Sequence, residues 1–515
     1  VSRTLGALFH DGVPGLAVAV DDVLSGDIAA PALHPAPIVL RPAYHDQVSA
    51  LVRIARREGI CLYQRGGGWS YTGGYTPGPA PSALIDSRAL TGIEIKSDKV
   101  VVGAGTTWAT LYDELAAAGL RVLSFGPLSG LGATVGGGVA QDGGFFGAAG
   151  HGALGDDTIC GGTLITGTGD DYTLRRADRV LDFAAPQPLA GDCGAFGLHT
   201  SVALRVMPMP THTRFASFHF LDGSAAYSTL ARLAGIAHLG EAYVFDPGTH
   251  ANLARTGFSV IESSTIAGDL LRGTGGLLAR LGGLLQTARA GGAFMADLQW
   301  SLHVSCDGSE AETAATYDLV TRLALAAGGA IIADTIPRVT RARPFRRIKA
   351  LLGPDGERWL PVHGVFPAEL AVAGLAAVQR VLAEARADMA AHGVRCVILG
   401  VLMGRRVIVE PQLFWPDALT SVHRRMALPD QVASYGGQPP RPRVREFALQ
   451  MRRQLIAALD GAGASHFQIG RIYAAHPGVP SSVREAWTAL KARFDPDNII
   501  NPGVLGLGQT TARAG

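Results

Sequence analysis

The chain has 515 residues, more than a single hydrophobic core accommodates, so two or three domains are expected. Its 45 Lys and Arg against 43 Asp and Glu leave a net charge of +2, and no basic run or basic-aromatic stripe stands out, which argues against a nucleic-acid partner. The longest apolar runs, at 16–20 and 323–333, fall far short of the ~18 residues of a spanning helix, so no stable membrane insertion is expected.

Residues 1 to about 35 read as an amphipathic helix and a Pro-rich connector. Ile38-Val39-Leu40 predicts a strand closed by Arg41-Pro42. Residues 45–58 place Val48, Leu51, Val52, Ile54 and Ala55 on one face, as a helix would. Residues 59–64 predict a short buried strand. It opens into Arg65-Gly66-Gly67-Gly68-Trp69-Ser70-Tyr71-Thr72-Gly73-Gly74-Tyr75, where five glycines in eleven residues leave the backbone almost bare. Glycine reaches φ > 0 without a Cβ clash, so successive N–H groups can converge on phosphate oxygens. Arg65, Ser70 and Thr72 add side-chain donors. The loop lacks the lysine of a P-loop, and Tyr75-Thr76-Pro77-Gly78-Pro79 cannot open the helix that GxGxxG requires. Taken alone, a flexible surface turn reads as well.

Strands follow at 83–86 and 99–103. A helix at 106–118 has Thr106 or Thr107 as N-cap and Gly119 past its end. A second glycine-dense segment, from Ser124-Phe125-Gly126-Pro127 to Leu154-Gly155-Asp156-Asp157, lies about 60 residues after the first. Strands at 158–166 and 201–206 come next, the latter ended by Pro208. Beyond residue 211 the texture changes. Strands are expected at 214–221, 300–305 and 394–403, and helices at 225–235, 310–327, 370–393 and 440–459. Residues 270–290 have helical spacing and read as a surface or interface helix. Five scattered cysteines (Cys61, Cys160, Cys193, Cys306, Cys396), none in C-x-x-C, suit reduced thiols in the cytoplasm better than a disulfide framework or a zinc site. No signal peptide is evident, and a cytoplasmic location is expected.

Five segments in order resemble the vanillyl-alcohol oxidase / p-cresol methylhydroxylase superfamily of FAD enzymes: RGGGWSYTGG at 65–74, GATVGGG at 132–138, GHGALGDD at 150–157, GDCGAFGLHTSVALRVMP at 191–208 and FDPDNIINPG at 494–503. The resemblance implies an α+β fold with a two-subdomain FAD-binding domain at 1–210. A mixed antiparallel-sheet cap at 211–475 would bind substrate, and residues 476–515 would return to the FAD domain. It implies FAD as cofactor, held by Arg65, Gly66, Gly67, Gly68, Trp69, Ser70, Gly73 and Gly74 at the pyrophosphate. Pro127, Ser129, Thr134, Gly136, Gly137, Gly152, Asp156, Gly197 and Asn501 would complete the site. Trp69 occupies the slot where many relatives have a histidine bonded to the flavin, so that attachment is expected to be absent. No thiol lies near Leu131-Gly132-Ala133, where doubly linked relatives carry a cysteine. Leu128 stands where the phenol-oxidising branch has a catalytic aspartate. Ala133 is the small residue expected to admit oxygen beside the flavin, which favours an oxidase.

A proton acceptor must then come from the cap. His466-Phe467-Gln468-Ile469-Gly470-Arg471-Ile472-Tyr473 is read as a strand, with His466 and Tyr473 on opposite faces and Arg471 positioned to lower the Tyr473 pKa or hold a substrate carboxylate. His363, set among apolar residues, is a second candidate. Glu410, within a β-branched run, needs an arginine partner or a raised pKa. Histidines and carboxylates never group at ligand spacing, so no metal is expected. The reading is an FAD-dependent oxidoreductase oxidising a small alcohol or phenolic substrate by hydride transfer to flavin N5, with oxygen or another electron acceptor. A D-2-hydroxy-acid dehydrogenase is the alternative, a flavoprotein with a non-redox role the alternative of another class, and a homodimer one open assembly.

Overall fold

The computed structural model describes residues 2–30, 32–175, 189–256, 298–342, 344–345, 351–473 and 481–508. The segment 270–290, read above as a surface helix, lies outside them. The amphipathic N-terminal reading corresponds to a helix at Ser2–Gly12. Strands β1 (Ala17–Ala19), β2 (Val39–Arg41), β3 (Cys61–Arg65) and β4 (Ser82–Asp86) form a sheet in the order β1-β2-β4-β3. The β2/β4 and β3/β4 pairs are parallel. The helix His45–Glu58 supplies the return to β3: its apolar stripe is buried, and Gly59 ends it at φ 65°. The edge of β3 is taken by the far C-terminus, where Leu62 bridges Ile500 in parallel and Asn501 N–H donates to Leu62 O at 2.8 Å.

A second sheet contains β5 (Ile93–Ile95), β6 (Lys99–Gly103), β7 (Leu120–Val122), β8 (Ile159–Ile165), β9 (Asp171–Arg175) and β10 (Leu198–Pro208). Its order is β5-β6-β10-β8-β9, with β7 on the far end of β10. Because β10 runs through Pro208 instead of stopping before it, it has the length to pair both β6 and β7. The helix Trp108–Ala117 is N-capped by Thr107.

The third sheet holds β11 (His212–Phe220), β12 (Leu239–Phe245), β13 (Trp300–Gly308), β14 (Ala330–Ile331), β15 (Arg358–Pro361), β16 (Gly364–Pro367), β17 (Arg395–Met403) and β18 (Arg406–Trp415). They run in the order β14-β11-β13-β12-β17-β18-β15, with β16 also on β18, every pair antiparallel. Strand alternation gives this sheet two working faces. Ala216, Phe218, Val244, Leu302, Val304, Val407 and Val409 pack on helices, among them Gly223–Arg232, Glu310–Ala326, Ala371–Glu384 and Pro442–Gly461. Tyr243, Leu399, Val401 and Ile408 turn the other way, onto Phe145, Phe146, Ala148 and Leu154 of the N-terminal part. Glu410 and Gln412 continue that second face.

Two sequence readings need correction. The helix expected at 370–393 is two, Ala371–Glu384 and Arg386–His392. Residues 466–473 are not a strand. After one bridge between Val365 and Ser465, positive φ at Gln468 (51°) and Gly470 (55°) turns the chain, and Tyr473 N–H returns to Ile469 O at 3.3 Å. Alternation lapses, and the His466 and Tyr473 rings stack with centroids 4.3 Å apart.

Candidate active site

The glycine loop leaves β3 at Arg65. Among the described residues, the N–H groups of Gly67, Gly68, Trp69, Ser70 and Tyr71 donate to no protein acceptor. Gly68 and Gly73 are left-handed, at φ 79° and 70°. The second glycine segment packs directly against this loop: a Cβ on Gly66 would strike Thr134 Oγ1, and one on Gly67 would strike the Gly132 carbonyl oxygen. The Trp69 indole lies against Gly132. Within that segment Pro127 O and Ser129 O accept N–H bonds that close a turn, and Thr134 caps the short helix Val135–Ala140 through Gly137 N–H. Gly136 approaches the Ala104 backbone too closely to carry a side chain. Two bare segments in contact, with a row of undirected N–H donors and the unpartnered, fully buried Thr72 Oγ1, are a donor set that suits a pyrophosphate.

The loop is braced from several sides. Arg65 does not project outward; its Nη1 and Nη2 return to Gly66 O and Gly67 O at 3.0 and 3.3 Å. Ser70 Oγ accepts Thr72 N–H at 3.3 Å. Asp27, buried and pushed up to about 6 mainly by desolvation, accepts Gly73 N–H at 2.6 Å. Asn501, at φ 43°, donates Nδ2 to Gly74 O (2.7 Å) and Cys193 O (2.9 Å), and its Oδ1 accepts Arg471 Nη2 at 2.7 Å. Arg471 therefore belongs to the loop junction, with its Nε on Thr76 O and its guanidinium over Tyr63. It is not beside Tyr473, whose hydroxyl is pushed up to about 12 by burial instead of being lowered. Three other expected cofactor residues, Gly152, Asp156 and Gly197, pack on protein neighbours. Gly152 abuts Asp156, whose carboxylate accepts Ala153 N–H and pairs with Arg406 of β18. Gly197 presses on the backbone of Ile165.

Tyr473, His363 and His466 do converge. His363 is fully buried, stacks on Phe467 (4.2 Å) and lies tilted against Tyr473 (4.9 Å), and neither ring nitrogen has a partner among the described residues. Burial holds its pKa well below the usual range, so the ring is neutral. His466 has both nitrogens engaged, on His363 O (2.7 Å) and Asp460 Oδ1 (2.5 Å), which leaves it no free position for a substrate proton. Glu410 lies on the sheet face toward the loop, half-buried. It has no arginine partner among the described residues, and desolvation raises it to about 7, while Gln412 Nε2 donates to it at 2.8 Å and opposes that rise.

Sequence reasoning missed three participants. Tyr71 enters the sequence reading only through its backbone, yet its side chain is buried edge-on to Trp359 (5.7 Å) and His363 (6.0 Å). A tyrosine inside a run of glycines was the available signal. Arg452, from the middle of the helix Pro442–Gly461, donates to Tyr71 O at 3.0 Å, and its charge acts on the Tyr473 hydroxyl against the effect of burial. Gln412 stands two residues from Glu410 on the same strand face. No group of three or more His, Cys, Asp or Glu suited to a metal occurs among the described residues.

Residues 36–175 match the family model described as FAD binding domain. A curated relative, D-lactate dehydrogenase of Archaeoglobus fulgidus, is 32% identical over 120 residues, which is 23% of this chain and 26% of that protein. The chain thus matches about a quarter of that relative's length. Solved structures share the fold at low identity. The 4-ethylphenol oxidase of Gulosibacter chungangensis superposes with TM-score 0.69 at 17% identity, covering 99% of this chain and 98% of that one. For p-cresol methylhydroxylase the values are 0.68 and 16%, covering 98% and 96%. An alkyldihydroxyacetonephosphate synthase gives 0.61 and 14%, covering 91% and 76%. Residues 36–175 therefore form an FAD binding domain, the chain has the fold of p-cresol methylhydroxylase, and its cofactor is FAD.

Proposed function

We propose that this protein oxidises a small alcohol or phenolic compound, with Glu410 taking the substrate proton. The observation that carries the reading is the placement of Glu410: a carboxylate with no arginine partner among the described residues, raised to about 7, on the sheet face turned toward Tyr71 of the cofactor loop. FAD, when bound, supplies the hydride acceptor. In this reading residues 66–74 hold its pyrophosphate, and the third sheet closes the site as the substrate domain. Tyr71 and Tyr473, neutral through the physiological range, donate hydrogen bonds to a substrate oxygen. His363 offers a further acceptor, and Phe467 and Trp359 form apolar walls. Anaerobic titration of the yellow protein with alcohols, phenols and hydroxy acids, followed by oxygen, tests the reaction class. Bleaching by an alcohol or phenol supports the reading; no bleaching by any of them sinks it and points to a non-redox role. Reduction should rise with pH through a midpoint near 7. In Glu410→Gln it should slow by ~10²–10⁴-fold and lose that midpoint, since removing a general base typically costs that much.

A D-2-hydroxy acid is the second reading, favoured by the relative named as a D-lactate dehydrogenase. Arg471 has its Nε on Thr76 and its Nη2 on Asn501, which places it at the loop junction, so Arg452, behind Tyr71 and Tyr473, is the cation placed to meet a carboxylate in that case.

A further inference from the structure

Trp359 lies on β15 and Gln412 on β18, paired so that Trp359 is opposite Phe414 and Pro361 opposite Gln412. Directly opposed residues share a face, so Trp359, Gln412 and Glu410 all point to the same side. The Trp359 indole N–H donates to Gln412 Oε1 at 3.0 Å, and Gln412 Nε2 donates to Glu410 Oε1 at 2.8 Å. A carboxamide can ordinarily be turned end for end, but an indole N–H is a donor only. It selects the oxygen end of Gln412 and thereby turns the NH2 end to Glu410.

We infer that Trp359 and Gln412 are positioning residues that hold the Glu410 carboxylate ready to accept a proton, Trp359 acting through the carboxamide it orients. This rests on the proposed role of Glu410. An N–H aimed at a carboxylate favours its ionised form, whereas a turned carboxamide would present an oxygen and favour the protonated acid. The charged form is also felt by Tyr71 from the cofactor loop, Tyr473 from the 466–473 turn and Tyr227 from the helix Gly223–Arg232. All three phenols are raised by burial and stay neutral where Glu410 titrates. Tyr71 packs edge-on against Trp359, so the same indole links the cofactor loop to the acceptor.

The test is an infrared pH titration of the FAD-loaded full chain carrying carbon-13 glutamate, with the Glu410 band assigned by its loss in Glu410→Gln. The parent midpoint should lie near 7. Gln412→Leu should raise it by about one pH unit, the scale of one lost hydrogen bond to a carboxylate. Gln412→Met, closer in shape, should do the same if the leucine variant folds poorly. Trp359→Phe should shift it in the same direction. An unmoved midpoint in the Gln412 variants, or in Trp359→Phe, overturns the inference. A carboxyl midpoint that moves while the pH profile of flavin reduction does not supports the relay and removes Glu410 as the acceptor.

Discussion

At Gly67 the backbone needs room and not a left-handed φ: it is absent from the positive-φ glycines, yet a Cβ there would strike the Gly132 carbonyl oxygen. Backbone cannot yield as a flexible side chain can, so Gly67→Val should push the two glycine segments apart and lose FAD. Flavin absorbance of the folded variant measures this, and parental occupancy would count against the site. Trp69 poses the complementary question. An indole offers no imidazole nitrogen for a bond to the flavin, so no covalent link is expected at residue 69, and a flavin-bearing peptide containing Trp69 after denaturation would refute that. Residue chemistry was legible in sequence where it is local, as in the glycine spacing. It was illegible where it depends on what lies opposite: Arg65 and Arg471 looked like free donors, and each turns two of its three guanidinium nitrogens to nearby protein groups.

At the scale of elements, strands and helices with strong periodicity stood where the sequence put them, because burial of one face sets their register. The 466–473 turn escaped because its apolar and polar residues alternate while two positive-φ residues redirect the chain. A buried chain from the helix Pro247–Thr256 across β13 to β11 was equally hidden. His250 Nδ1 lies 3.1 Å from Leu298 O, its Nε2 2.7 Å from Ser301 Oγ, that oxygen 2.7 Å from His303 Nε2, and His303 Nδ1 2.9 Å from Ser217 Oγ. A carbonyl only accepts, so the His250 Nδ1 carries the proton and every later bond takes its direction from that, ending with Ser217 donating to His303. Both histidines must be neutral. Burial lowers His250 to about 4 and His303 well below its ordinary range. The unfolded chain binds the protons more readily, so stability is complete above about pH 6.5 and falls as pH drops toward 4. For His250 the loss is on the order of 3 kcal/mol, from about 1.4 kcal/mol per pH unit. Urea midpoints at pH 7.5 and 5 should therefore differ more in the parent than in His250→Leu. Equal differences would show that the chain carries no such linkage.

For the whole molecule, the decisive contacts join residues far apart in sequence. Arg121 of β7, 186 positions from Asp307 of β13, donates to it at 2.8 Å, and both are nearly inaccessible to solvent. Arg341 bonds the same carboxylate and Glu241 of β12, and Glu241 also accepts Gly147 N–H at 2.8 Å. Two guanidinium groups and two carboxylates thus fasten the glycine-rich N-terminal part to the third sheet, with both guanidiniums over the Phe125 ring. No local pattern announces such a cluster, since each member sits in an ordinary strand, helix or turn. Replacing Asp307 by Asn would leave Arg121 buried without a carboxylate while Arg341 keeps Glu241. An uncompensated buried charge costs ~3–5 kcal/mol. Its arginines lower Asp307 to about 2, so its contribution is present above the ordinary carboxylate range near 4 and is lost only as pH falls through about 2. The cluster therefore outlasts the His250 chain in acid: near pH 5 the third sheet should loosen while the junction still holds. Thermal melts followed by flavin fluorescence and by far-ultraviolet dichroism check this. In Asp307→Asn at pH 7 flavin should leave several degrees before the secondary structure melts, whereas in the parent at pH 5 the two should stay together. The double variant Arg121→Met with Asp307→Asn, having no orphaned guanidinium, should regain part of the loss. Coincident, parental midpoints in Asp307→Asn would mean that the two parts are held by apolar packing alone.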